Sequence, residues 1–579
     1  MQRKRDISKR NRTDREVGTV WNRWNGKIKV ALAYPNRYHV GMSNLGFQSV
    51  YRHLNDIEDV LCERVFLQDE NDPVGSRVTT LESSRPLSAF DVVAFSISFE
   101  NDYPNLLAIL EQAGLPLRVE DRWPPHPLVV AGGVACLLNP EPIAEFIDCF
   151  LIGEAESLLS RFFEHFDPGA DRLPGLERIA RRVPGIYVPG FYKPAYHSDG
   201  TIASFHPMSD VPEKITRGIQ RDLSGAPVCS TVLTPDTTFD QTYLIEVSRG
   251  CPHGCRFCAA GYIFRPPRFR SAPQIEQSMR DGAALTHKIG LVGAAVSDHP
   301  QIERICHAAE KQDLCLSFSS LRADAVDATL LAALKAGGVK TATIAPDAGS
   351  QRMRNVINKG ITEAQILDTA QLLVENDIPN LKLYFMVGLP SETMADIDAI
   401  ISLCKQIKHR FLKSSRARKR IGSITVSINS FVPKPATPFQ WEPMDSVSRL
   451  KQKIKRIKYG LKAVANVRIN TDVPRWAYIQ ALLSRGDRRV SQLLLAAHGN
   501  RGNWPQTLKS SPINPDFYVH RNRDTLEMLP WDFIDHGVKK EFLIREHEKA
   551  LGAEPSDDCR VGACTICGVC KEVPKIENA

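Results

Sequence analysis

The sequence predicts an α/β protein: an N-terminal Rossmann-like open parallel sheet, then an open (βα)6 partial TIM barrel, then a mainly helical C-terminal region with a Cys-rich tail. Three observations predict it. Short apolar, β-branched runs alternate with helix-periodic segments over most of the chain. Glycine- or acid-bearing turns recur just after those runs, at strand ends where open α/β sheets and barrels bind ligands. Cysteines gather in two tight clusters, Cys251, Cys255 and Cys258, then Cys559, Cys564, Cys567 and Cys570.

Composition sets the frame. A chain of 579 residues should hold about three domains. Its 43 % hydrophobic and 24 % charged content is that of a soluble globular protein. No apolar run approaches the ~20 residues of a membrane helix, so no membrane partner is expected. Met1 to Gly18 is basic without a following apolar segment, so it reads as a mobile arm rather than a secretory signal. Of 14 cysteines, seven fall in the two clusters, which favours metal ligation in a reducing cytoplasm over disulfides. The net charge of +8 permits an anionic partner without demanding one. Two basic runs, Lys408 to Arg420 and Lys451 to Lys462, read either as solvated helix faces or as an RNA-tracking surface.

The elements follow in order. Lys27 to Tyr34 is a strand, Asn44 to Leu54 a helix, and Asp91 to Ser98, Leu128 to Gly133 and Cys149 to Gly153 are further strands. Gly185 to Gly190 and Phe191 to Phe205 are short strands around a Ser-Asp-Gly turn. Six strands then define the barrel: Thr242 to Val247, Lys288 to Ser297, Leu314 to Ser320, Thr341 to Pro346, Asn380 to Gly388 and Ser423 to Val432. Six parallel units are too few to close an eight-stranded barrel. The expected division is a basic arm (1–26), a Rossmann-like domain (27–166), a strand-rich connector (167–236), the barrel (237–445), a basic helical region (446–550) and the Cys-rich tail (551–579). The charge-dense Ser484 to Arg489 reads as a helix-start or rim feature.

The first cysteine cluster follows the first barrel strand directly. Gly250 and Gly254 let the loop turn tightly enough to aim its sulfurs at one point. Closed zinc or iron–sulfur sites take four protein ligands. Three thiolates leave one iron of a cubane open, a catalytic arrangement. The other reading is a zinc loop completed by His253 or a distant residue.

With these residues the chain resembles the radical S-adenosylmethionine (SAM) enzymes, over Thr242 to about Trp441. The resemblance implies a 4Fe–4S cluster whose open iron is chelated by SAM, and an electron from an external flavodoxin- or ferredoxin-type donor that cleaves SAM to a 5′-deoxyadenosyl radical. It implies that Phe257, just before the third cysteine, lies beside the adenine. Gly388-Leu-Pro-Ser-Glu392 resembles the family's fifth-strand motif behind the adenine. Asp347 and Ser350 stand where the family binds the ribose or amino-acid end, and Arg322 is placed to grip the carboxylate. Ser297 and Asp298 stand where the family has a Gly-Gly-Glu-like turn for the methionine amino group. For Arg322 and Asp347 the competing reading is a barrel-rim ion pair.

More narrowly, the stretches Cys255 to Arg268 and Phe431 to Gln440 resemble an uncharacterised bacterial radical SAM family with an N-terminal cobalamin-binding-like domain. The loop after the first strand, with His39 and Gly41, lacks the D-x-H-x-x-G pattern of histidine-ligated cobalamin domains. Cys62, Cys136 and Cys149 read as buried thiols rather than a second N-terminal cluster. The tail cysteines suit a second 4Fe–4S cluster, structural zinc or a redox dithiol. The implied function is a radical SAM enzyme of unidentified substrate, with RNA modification or methyl or thiomethyl transfer as one class and cobalamin-type chemistry on a small molecule or peptide as another. The reading from a different class is a non-enzymatic iron–sulfur sensor or assembly factor.

Overall fold

The computed structural model describes residues 12–69, 77–318, 321–416, 422–562 and 564–572. The N-terminal sheet contains β1 (Ile28–Tyr34), β2 (Val60–Phe66), β3 (Val92–Ser96), β4 (Leu128–Gly132), β5 (Cys149–Leu151) and β6 (Ile186–Tyr187). Their order is β2-β1-β3-β4-β5-β6, parallel throughout except for β6. The order reverses between β1 and β3, the switch point at which such sheets open a ligand crevice.

β2 lies outside the expected strands because its alternation is broken by Glu63 and Arg64. Both are buried. Arg64 forms ion pairs of 2.6 Å with Glu16 and 2.7 Å with Glu82. The same triad corrects the reading of the basic N-terminus as a mobile arm. From Arg12 onward it packs down, with Val17 bridged to Leu233 and Glu16 sealed beneath it; residues before Arg12 lie outside the described ones.

The second sheet system carries the barrel. β7 (Tyr243–Glu246), β8 (Lys288–Val292) and β9 (Cys315–Phe318) pair in parallel. A parallel bridge from Leu321 to Ile344 continues into β10 (Thr341–Asp347), β11 (Asn380–Val387), β12 (Ile424–Ser430) and β13 (Val467–Thr471). The barrel strands expected from the sequence are all present. β13 adds a seventh at the open edge, inside the stretch expected to be helical. Along β11 the inward residues Leu381, Leu383, Phe385 and Val387 alternate with half-exposed ones, the period of a half-buried strand. Helix Glu363–Glu375, which precedes β11, starts from a capping box of Thr362 and Gln365.

The connector forms the antiparallel hairpin Tyr192–Tyr196 with Ile202–Pro207, after a helix at Arg172–Arg182. The C-terminal region is mainly helical. Its Ser484 to Arg489 segment is an interior clamp rather than a rim. Asn139 donates to the Ser484 and Gly486 carbonyls, and Arg488 pairs with Glu141 at 3.1 Å. Among the described residues no helix is long and apolar enough to cross a membrane.

Candidate functional site

The cysteine loop leaves β7 through Arg249 and turns at Gly250, whose φ is +83°. A Cβ there would sit 2.5 Å from the Phe264 carbonyl oxygen, so only glycine fits without moving backbone. Arg249 is held by Glu154, Glu156 and Glu246 at 2.8–2.9 Å. Arg268 adds a second link to Glu154 at 2.7 Å. Burial pushes the Glu154 carboxyl up, but Arg268 and Arg249 outweigh it and hold it below its ordinary value. These pairs fix the end of β5 against the start of the loop.

Two further segments fix the loop from behind. Arg256 is fully buried and donates to the Asn355 and Val356 carbonyls, to the Glu554 carbonyl and to Glu546. Asn358 donates to the Gly254 carbonyl at 3.2 Å and accepts from the Ser556 N–H at 2.8 Å. His253, between the first two cysteines, hydrogen-bonds Asp298 and, at 2.9 Å, Asp558. Burial lowers its pKa, but the two carboxylates more than offset that and raise it.

The three thiols are half-buried, and Cys255 and Cys258 both act on Cys251. Burial pushes Cys251 up to about 12 and Cys255 up to about 11. Lys359 and Arg322 pull Cys255 the other way, whereas Cys258 and Asp347 add to the rise. The thiol donor set and the adjacent cations suit a group that binds thiolates. Among the described residues no three His, Cys, Asp or Glu side chains close to the spacing of a single ion.

The sequence-predicted residues divide in two. Near the loop, Asp298 is bonded to His253 and hydrogen-bonded by Ser297 at 3.2 Å. Arg322 forks onto Asp324 at 2.8 and 3.0 Å. Asp347 pairs with Lys359 at 2.6 Å and takes a left-handed φ of +60°, a strained conformation for this residue. Phe257 packs on the apolar cluster of Ala348, Ile357, Leu389 and Phe431. The others carry scaffold bonds. Ser350 caps helix Gln351–Val356 and donates to Asp396 at 2.6 Å. Glu392 folds back to accept from the Gly388 N–H and pairs with Lys453, each at 2.7–2.8 Å. Lys359, Arg256 and Arg265 are residues the motif reading missed: Lys359 lies outside the quoted stretches, and Arg256 and Arg265, though inside Cys255 to Arg268, show their roles only through their buried partners.

The tail docks on the same loop. The Cys559 N–H donates to the Pro252 carbonyl at 2.8 Å. Of the basic runs, Lys453 turns inward to Glu392 and Asp445, and Arg456 pairs with Asp398. Residues 417–420 of the first run lie outside the described residues.

A cavity of about 510 Å³ opens beside the loop. Its floor is one face of the N-terminal sheet, Val30, Leu32, Ala94 and Val130, and its wall includes Leu158 and Phe162. Its mouth runs past Gly132, Gly133 and Gly153 to Arg249 and Gly250.

Comparison with known proteins decides the family. Residues 46–189 match the model for radical SAM proteins, N-terminal, and residues 245–404 that for the radical SAM superfamily. The uncharacterized protein MJ0966 of Methanocaldococcus jannaschii is 32 % identical over 467 residues, covering 80 % of this chain and 90 % of that protein. The chain belongs to the radical SAM superfamily. As a radical SAM enzyme it uses a 4Fe–4S cluster and SAM, and the reading as a non-enzymatic sensor or assembly factor falls. The uncharacterized methyltransferase PH0819 of Pyrococcus horikoshii is 25 % identical over 171 residues, 28 % of this chain and 37 % of that one. Among solved structures, the radical SAM methyltransferase TsrM from Kitasatospora setae, with cobalamin and a 4Fe–4S cluster bound, superposes with a TM-score of 0.50. It is 12 % identical, and the match covers 84 % of this chain and 100 % of that one, a likeness of fold.

Proposed function

We propose that this radical SAM enzyme holds its cluster on Cys251, Cys255 and Cys258, binds cobalamin in the crevice between β1 and β3, and transfers a methyl group to a small molecule or peptide. The observation that carries the reading is the apolar cavity at the switch point, which opens onto Gly250 at the first cysteine. TsrM, a methyltransferase, has this fold with cobalamin bound. When bound, the cluster would supply the electron that cleaves one SAM to methionine and the 5′-deoxyadenosyl radical, and a second SAM would supply the methyl that cobalamin carries, leaving S-adenosylhomocysteine.

The chain's residues position and shield. Phe257 and Leu389 offer the adenine an apolar wall. Arg322 and Lys359 put two cations near Cys255, where the SAM carboxylate would bind. Asp298, fixed by His253, accepts from the amino group. An external one-electron donor of flavodoxin or ferredoxin type remains part of the reading. His39 is exposed and does not line the cavity, so it would not ligate a cobalamin held there. The tail cysteines are read as a second metal site, iron–sulfur or zinc.

Titration of anaerobic protein with hydroxocobalamin tests the proposal. A saturable spectral change is expected, unaltered by His39→Ala and lost in Ala94→Phe, which fills the cavity floor. No binding, or histidine ligation lost with His39, would overturn it. A second reading, RNA as substrate, rests on exposed Lys451, Lys455, Lys458 and Lys462 with Tyr459, which is 82 % exposed. It requires RNA affinity that falls steeply with salt.

A further inference from the structure

We infer that Cys559, Cys564, Cys567 and Cys570 bind a second iron–sulfur cluster, seated directly on the loop of the first. This deepens the proposed function by naming the group at its second metal site, and it stands on geometry separate from the cobalamin cavity.

The segment has little else to order it. Residues 553–562 and 564–566 form neither helix nor strand, and Val561 and Ile566 are 52 % and 62 % exposed. So little apolar burial does not offset the entropy of fixing a loop. The loop is nevertheless shaped. Gly562 and Gly568 take left-handed φ values of +81° and +94°, and a Cβ on Gly568 would meet the Lys539 side chain at 2.8 Å. These turns fold the segment into one short loop that carries all four cysteines and is tied to the first loop where the Cys559 N–H donates to the Pro252 carbonyl at 2.8 Å.

The surroundings are those of sulfur ligands. The Ile566 N–H points at the Cys564 sulfur at 3.4 Å. The guanidinium of Arg265, itself buried and donating to the Gly261 carbonyl at 2.6 Å, lies near enough to Cys567 and Cys559 to act on them electrostatically. Its far side lies against Tyr262 and Phe542. A fixed cation and N–H donors stabilise the net negative charge of four thiolates around iron. Cys567 is 3 % exposed, in a cluster with Trp441, Trp531 and Phe542, and its carbonyl accepts from the Lys539 N–H at 2.9 Å.

The spacing favours iron–sulfur over zinc. Closed zinc sites commonly join two separated Cys pairs, whereas C-x2-C-x2-C on one turn is the ferredoxin pattern. A cubane also holds its thiolates further apart than one ion does.

The full chain, reconstituted anaerobically with iron and sulfide, tests the inference. Expected content is about eight irons and eight sulfides per chain, four for each cubane. With Cys251, Cys255 and Cys258 replaced by Ala, about four irons should remain, and their reduced EPR signal should not respond to SAM, since four cysteines leave no open iron. Cys564→Ala/Cys570→Ala should lose the SAM-insensitive signal and keep the SAM-sensitive one. In the wild-type chain, four irons or fewer, or one zinc with unchanged iron, overturns the inference. So does a triple variant that is folded by circular dichroism and carries no iron. The cobalamin titration is read on the same samples, so failure of one proposal leaves the other's result intact.

Discussion

Arg256 is the buried bolt between the cysteine loop and helix Lys540–Leu551, and replacing it by Leu should loosen that helix severely. The Arg256 side chain is fully buried and that of Glu546 is 7 % exposed, with Nε 3.1 Å from the carboxylate. Four more bonds of 2.8–3.2 Å run to Asn355, Val356, Glu554 and Ser556. Arg256→Leu leaves a buried carboxylate with only Ser556 and the distant Lys549 as partners. Breaking a buried pair in this way costs about 3–5 kcal/mol. At about 1.4 kcal/mol per tenfold, protection of the helix amides against hydrogen exchange should fall by roughly 10²- to 10³-fold. The readout is local because a chain of this size does not unfold in one step. Arg256→Leu/Glu546→Leu should recover part of the loss, with a coupling of about 1–3 kcal/mol. Protection within tenfold of wild type in the single variant, or strict additivity in the double one, would refute the reasoning.

Truncation after Asp558 should spare SAM cleavage, because Ser556 and Asp558 still brace the loop; truncation after Gly552 should abolish it, and equal activity of the two would remove the bracing role. Lys359→Met should weaken SAM binding by about tenfold or more, as loss of a charged hydrogen bond does, measured by equilibrium dialysis. Burial pushes the Asp396 carboxyl up, but bonds from Arg352, Ser350 and Thr393 prevail and carry it down to about 2. Its folded pKa is therefore depressed, so its stabilisation is present above about pH 4, the unfolded value, and is lost as pH falls towards 2. The stability gap between wild type and Asp396→Asn should be constant above that point and close below it in urea titrations.

Strand identity was legible where apolar residues dominate the run, as in β1 and β11. It failed at β2 because Glu63 and Arg64 look like surface residues and are paired in the interior. It failed at β13 because Val467 to Thr471 includes Arg468 and Asn470, the mark of an edge strand. The cysteine loop was legible from spacing alone. The residues that hold it were not. Arg256 and Lys359 meet their partners across long separations, and a lone Arg or Lys in sequence reads as solvated.

The loop owes its shape to segments far apart in the chain. Glu154 and Glu156 come from the start of the helix after β5, Asn355 to Asn358 from the end of helix Gln351–Val356 and the residues after it, and Glu554, Ser556 and Asp558 from the tail. None of the three is local to Cys251. A local loop of glycines and cysteines would be flexible in isolation, and flexible thiols bind metal in many geometries. Here each anchor is a charged or amide group whose burial is tolerated only when its partner is in place. The final positions of the three thiols therefore depend on the sheet, the barrel and the C-terminal helix together. The same dependence joins the cavity, the barrel mouth and the tail at one loop. Arg249 stands at the mouth of the cavity, Cys255 faces the cations of the barrel, and Pro252 receives the tail. A displacement of the loop by any one anchor is felt at the other two, which ties the cavity to the barrel chemistry through packed side chains.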